Sequence, residues 1–297
     1  MAPPSRLDAL HPLPGDGEIT FLPGPHVYLV DGKPVRTSVT SMLKPYWPAF
    51  DGSATVDKYL ARWRADERNK YHALIQYMAL VETGDAERCK AAILSLWNAQ
   101  RDAAAEAGTA MHQDFQAIVE GWDLGHPETH ETRAFLRWLA QFCKDQDCEP
   151  FRAEWLVVLK RGDVPIVAGQ VDLVLKVREK EQYIGVDFKR TNPKVSNGRP
   201  QNLLLSNQRS FGGECGTGPF AELESTDFTK YSAQLNAYSR VALDGYGIDF
   251  RDRMLLLQVH PDLPEAHAVR VPRMDREMDA LFELEASRAC LELAAEF

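Results

Sequence analysis

The spacing of hydrophobic and polar positions changes several times along the chain, and each change marks a different kind of element. Residues 19–22 and 26–30 read as two short strands followed by an Asp31-Gly32 turn. Ser38 or Thr40 can cap a short helix through Met42 and Leu43 that stops near Pro45. From 53 to 121 the spacing is helical, in segments 56–64, 70–83, 85–101 and 102–120, where Trp63, Tyr71 and Trp97 read as packing residues. Another helix follows over 128–144, with Phe135, Trp138, Leu139 and Phe142 on its apolar face.

The period drops to two at Ala153. Residues 154–159 form one expected strand. In the next, Val171, Leu173, Leu175 and Val177 alternate with Asp172, Val174 and Lys176, until the charged run 178–181 ends it. A third strand covers 183–188. After an irregular stretch, 192–226, helical spacing returns over 229–243, a strand over 254–259 ends at His260-Pro261, and a helix closes the chain over 275–295. The expected class is α/β (α+β), with a mixed central sheet and flanking helices. The expected division is a disordered, Pro- and Gly-rich stretch at 1–17, a strand pair and helical region at 18–104, and a core at 105–297.

The central hairpin carries the chemistry. Asp187 and Lys189 are two apart, so they share one face of their strand, and the hairpin can bring Asp172 to the same end. Two nearby carboxylates repel unless a cation joins them. Magnesium or manganese is the natural cation for such oxygens, and a lysine beside them suits attack of water on phosphorus. An ordinary charged surface hairpin is the competing reading. His112, on the 102–120 helix, follows the small residues Gly108 and Ala110, which would let another backbone approach closely. His26 reads as a turn residue rather than a ligand.

Composition narrows the partners. The net charge of −9 disfavours a nucleic-acid partner at first sight. Its distribution softens this, because residues 186–210 hold Lys189, Arg190, Lys194, Arg199 and Arg209 against Asp187 alone. The 5 cysteines form no Cys-x-x-Cys pair, so neither zinc nor an iron–sulfur cluster is expected. No apolar run spans a membrane and no secretory pattern opens the chain, so an intracellular protein with reduced thiols is expected.

Four short motifs stand in order: Gly108-Thr-Ala-Met-His112, Gly169-Gln-Val-Asp172, Asp187-Phe-Lys189 and Gln234-Leu-Asn-Ala-Tyr238. Over about residues 105–260 this resembles the PD-(D/E)XK nuclease superfamily, in its RecB-type exonuclease branch with viral, phage and mitochondrial members. The resemblance implies a restriction-endonuclease-like αβββαβ core. It implies that His112, Asp172, Asp187 and the carbonyl of Phe188 hold magnesium or manganese, and that Lys189 orients the attacking water. It further implies that Gln234 and Tyr238 position the lysine or the substrate. The cysteine spacing departs from the iron–sulfur members of the branch. Glu154 is either a further acidic member of the site, acting through water, or a strand-edge residue.

The function so implied is a metal-dependent DNA nuclease, an exonuclease hydrolysing phosphodiester bonds from DNA ends in recombination, repair or genome maintenance. A catalytically silent DNA-binding module and a restriction-type endonuclease are the alternatives. The DNA contacts expected are Arg190, Lys194, Arg199, Arg209, Lys230 and Tyr231, with the segment 194–226 lying beside the active site.

Overall fold

The computed structural model describes residues 5–81, 86–191, 194–196, 199–201 and 213–295. The chain divides into two compact units, one of Met1–Pro48 with Met111–Phe297 and one of Ala49–Ala110. The boundary expected at 104/105 is therefore replaced. The N-terminal strands fold with the sheet rather than with the helical region.

The first unit begins with helix α1 (Arg6–Leu10), where a disordered end is expected from composition. Three anchors hold it. Leu7 is buried, and the buried Glu120 accepts hydrogen bonds from Ser5 Oγ, Arg6 N–H and Leu7 N–H. Arg152, wholly buried, donates to the carbonyls of Leu7 and His11 and to Asp16. Proline and glycine content concealed these anchors, because two of them lie more than a hundred residues away in sequence.

Strands β1 (Ile19–Leu22), β2 (Val27–Val30) and β3 (Lys33–Pro34) make a small antiparallel sheet. Asp31 and Gly32 both have positive φ, as a tight two-residue hairpin turn requires. Helix α2 (Val39–Leu43) is capped by Ser38, whose Oγ accepts from Ser41 N–H. The Ala168 N–H donates to Thr37 O at 3.1 Å, which ties this segment to the central sheet.

The second unit is helical. Its elements are α3 (Gly52–Ala65), α4 (His72–Val81) and the first part of α5 (Ala86–Glu120). Its core is Val56, Tyr71, Ile75, Cys89 and Ile93, with Trp63 and Trp97 packed against it. The two helices expected at 85–101 and 102–120 are one, since no proline interrupts them.

Helix α6 (His130–Gln146) leads into the main sheet of the first unit. Its strands are β4 (Cys148–Arg161), β5 (Val164–Val177), β6 (Tyr183–Lys189), β9 (Met254–Gln258) and β10 (His267–Arg270), in the order β10-β9-β6-β5-β4. The β6–β9 pair is parallel and the other pairs are antiparallel. A parallel neighbour needs a crossover, and helix α7 (Asp227–Tyr246) lies within it. The connection also contains a short hairpin, β7 (Lys194–Ser196) with β8 (Arg199–Gln201), and a bridge between Cys215 and Glu224. The stretch expected to be irregular thus carries structure of its own. Helix α8 (Asp275–Ala295) ends the described chain.

One face of the sheet packs Leu173, Leu175, Ile184, Val186 and Phe188 against Met111, Phe115 and Phe135 of α5 and α6. The other face packs Val157, Val171, Val174 and Leu256 against Leu235, Tyr238 and Val241 of α7 and against α8. Val171 and Leu173 therefore belong to opposite faces, although simple alternation puts them on one. The switch falls at Asp172, opposite a backbone irregularity in β4.

Candidate active site

That irregularity is Glu154, whose φ of +46° places a non-glycine residue in the left-handed region. Such a conformation costs on the order of 1 kcal/mol and persists only where surroundings hold it. Gln170 Nε2 donates to the Glu154 carbonyl at 3.2 Å. Ala153 pairs with Leu173 and Trp155 with Val171, so Glu154 lies across from Asp172. The result points its carboxylate inward, where Oε1 lies 3.0 Å from His112 Nδ1.

His112 Nδ1 is also 3.6 Å from Asp172 Oδ1. Donor atoms of His112, Glu154 and Asp172 all lie within 4.8 Å of one another. Asp172 uses its other oxygen to accept from the Phe188 N–H at 2.6 Å, which fixes the carboxylate against β6. On β6, Gly185 N–H bonds to Arg253 and Lys189 O accepts from Val259, so these residues turn their backbone toward β9. Phe188 turns its backbone the other way, toward Asp172.

Asp187, 1 % exposed, sits on the same strand. Its Oδ2 makes no well-directed hydrogen bond but lies 2.5 Å from Lys189 Nζ. Lys189 reaches on to Gln234 Oε1 at 3.5 Å, and Gln234 Nε2 reaches Tyr238 Oη at 3.4 Å. Lys189 Nζ also lies 4.8 Å from the centre of the Tyr231 ring. The chain of contacts from Asp187 to Tyr238 explains the four-residue spacing on α7, which puts Gln234 and Tyr238 on one helix face.

Gly169 has an equally local reason. A Cβ there would lie 2.5 Å from Tyr238 Cε1 and 3.2 Å from Val39 Cγ2. The ring of Tyr238 occupies the space that any side chain at 169 would need. Gly108 is different, since a Cβ there would meet nothing within 4 Å. The close backbone approach expected at that glycine does not occur among the described residues.

Charges at the site follow from burial and neighbours. For His112, burial favours the neutral ring, but Asp172 and the hydrogen bond to Glu154 outweigh it and push the pKa up to about 9. Burial raises Asp187 to about 6, with Lys189 opposing and Asp172 reinforcing the rise. Asp172 is raised as well, chiefly by burial, which the His112 charge opposes. Burial would lower Lys189, yet Asp187 and Asp172 hold it above the usual lysine value. The histidine and the lysine thus serve as counter-ions to the carboxylates.

Compared with known proteins, the chain matches no family model and no curated protein. The chemistry of the site is therefore read from its own residues.

The donor set fits a hard divalent cation. Glu154 and Asp172 offer carboxylate oxygens beside an imidazole nitrogen, and Asp187 keeps a buried oxygen without a directed hydrogen bond. Glu154 belongs to this set, whereas Asp187, expected as a ligand, is paired with Lys189. Sequence reasoning left Glu154 undecided because its inward turn depends on a backbone reversal that alternation does not reveal.

The expected DNA contacts differ in their surroundings. Arg190 Nε is 3.1 Å from Glu131 Oε1, so its charge is already engaged. Lys230 is half-buried in the first turn of α7. Tyr231 is half-buried, with its ring against Lys189. Lys194 and Arg199 stand on opposite strands of the β7–β8 hairpin, and their side chains, like Arg209 as a whole, lie outside the described residues.

Proposed function

We propose that this chain is a metal-dependent DNA nuclease of the PD-(D/E)XK type, with a restriction-endonuclease-like core, and that it works from DNA ends. The observation that carries the proposal is the pairing of two different groups at one strand end. Asp187 and Lys189 form an ion pair 2.5 Å apart, beside three ligand-type side chains drawn from α5, β4 and β5. A plain surface hairpin has no reason to bury an aspartate to 1 % exposure.

His112, Glu154 and Asp172 would hold magnesium or manganese, with Asp187 joining them as Lys189 turns toward substrate. When bound, the cation supplies positive charge for the phosphate and acidifies water. Lys189 has two tasks that need no metal. Its ammonium balances Asp187 in the resting site, and it offers a proton-bearing cation to the phosphate oxygens as negative charge grows. Gln234 limits the swing of the lysine by accepting from it, and Tyr238 holds Gln234 in turn. Tyr231 covers the ammonium with a ring face, which excludes water and keeps the charge directed into the site.

Exonuclease action separates from the restriction-type alternative by one comparison. The protein is incubated with magnesium or manganese and with either end-labelled linear DNA or covalently closed circular DNA. Loss of the linear substrate with survival of the circle is the expected outcome. Linearisation of the circle at a matching rate would favour an endonuclease, and survival of both would favour a silent binding module.

A further inference from the structure

Tyr28 belongs to none of the motifs that build the candidate site, yet the small N-terminal sheet brings it there. It shares one compact unit with Glu154, Asp172 and Tyr238. On β2 it is 7 % exposed and joins a cluster with Ile19, Val30, Val158 and Ala168, against which Leu156 packs. Leu156 and Val158 follow Glu154 on β4, and Ala168 precedes Asp172 on β5. Tyr238 reaches the same part of β5 from α7, since its ring fills the space beside Gly169.

The ring of Tyr28 is fixed in place. Phe21, its cross-strand partner on β1, lies 4.7 Å away between ring centres. Val35 N–H donates to the Tyr28 carbonyl at 2.8 Å. The hydroxyl has no hydrogen-bond partner among the described residues, and it is not among the polar atoms sealed from solvent. A buried tyrosine ordinarily places its O–H on a partner. Phenylalanine would fill this cluster as well, so packing alone does not account for the hydroxyl.

Its surroundings show where the hydroxyl looks. Burial pushes the Tyr28 pKa up to about 12, and the charges of Glu154 and Asp172 act in the same direction. The phenol therefore keeps its proton at neutral pH and has it to donate. Burial likewise holds Tyr238 well above the ordinary tyrosine value, and Tyr28 is one of the groups that reinforce this. The free end of Tyr28 is thus turned toward the two carboxylates of the candidate cation site. Each of these already has an oxygen engaged, Glu154 Oε1 with His112 and Asp172 Oδ2 with the Phe188 N–H.

We infer that Tyr28 is a substrate contact of the candidate active site, its hydroxyl donating to a non-bridging oxygen of a nucleic-acid phosphate beside Glu154 and Asp172. A neutral donor suits this place, because it orients a phosphate without competing for the cation that the carboxylates would hold. The identity of the ligand rests on the nuclease reading.

Tyr28→Phe removes one oxygen and keeps the ring, so the cluster stays packed. Affinity of the full-length protein for a fluorescent oligothymidylate is measured across a range of salt concentrations, with calcium present. Cleavage of linear DNA is measured with magnesium or manganese. The variant should bind the oligonucleotide about tenfold more weakly or worse, the usual effect of losing a hydrogen bond to a charged acceptor. Its log–log salt slope should match the wild type, because a neutral phenol releases no counter-ion. Manganese affinity without DNA, and the urea midpoint, should also match. Equal oligonucleotide affinity overturns the inference. So does an equal loss of manganese affinity without DNA, which would make Tyr28 a support for the carboxylates instead. If the wild type cuts DNA and the variant binds as tightly, the nuclease reading stands and this contact is refuted. If the variant binds more weakly but the wild type never cuts, the contact stands and the nuclease reading is refuted.

Discussion

Replacing Gly169 with alanine tests how the site is assembled. The added methyl would lie 2.5 Å from Tyr238 Cε1, whereas carbon atoms settle at about 3.5–4.0 Å, so ring or strand must yield by roughly 1 Å. Val39 Cγ2, 3.2 Å away, blocks an easy shift in its own direction. Tyr238 is 5 % exposed and packed among the residues of α7 and β5, so overpacking should cost about 1–3 kcal/mol. Displacing the ring also carries its hydroxyl away from Gln234 and frees Lys189, so activity should fall further than folding does. The assay is urea unfolding of four proteins: wild type, Gly169→Ala, Tyr238→Leu and the double variant. Tyr238→Leu removes the ring atoms that the methyl meets, so the alanine should cost much less in that background. A coupling of about 1 kcal/mol or more is expected. Additivity within about 0.5 kcal/mol would refute the explanation of this glycine.

Three further outcomes follow from the same contacts. Lys189→Ala should reduce cleavage by about a hundredfold or more while manganese binding, followed by calorimetry, persists, because the lysine acts on developing charge; wild-type turnover would remove its assigned role. In chelator, the ion pairs of His112 stabilise the fold below pH 6.5, its ordinary value, and that contribution disappears as pH rises through about 9. The urea unfolding free energy should drop across this window by no more than about 3.4 kcal/mol, and His112→Gln should flatten the slope. Arg152→Ala removes the buried anchor of α1, so limited proteolysis should cut near residues 5–16 much sooner than in the wild type; equal protection would show that Glu120 suffices.

Much of the site was legible because its signals are short-range. Asp187 and Lys189 share a face by simple alternation, and Gln234 and Tyr238 share one by helical spacing. The hairpin that joins Asp172 to β6 follows from the charged run at 178–181. What escaped depends on distant partners or on exceptions to period. Glu154 needed a reversed φ, and the switch of faces between Val171 and Leu173 follows from the same irregularity. Strand β10 is short and half-buried, with too few residues for alternation to be read. Helix α1 is specified by Glu120 and Arg152, which no local window contains. In the described residues no helix is long and apolar enough to cross a membrane, as the hydropathy suggested.

The central claim is that Asp172, Asp187, Lys189, His112 and Glu154 form a metal-dependent phosphodiesterase site. The most direct measurement follows an end-labelled linear DNA with metal-stripped protein, before and after addition of magnesium or manganese, beside the Asp187→Asn variant. The account expects no cleavage in chelator, restoration by metal in the wild type, and at least a hundredfold less in the variant. Cleavage at full rate in excess chelator, or none by the wild type with either metal, would contradict it.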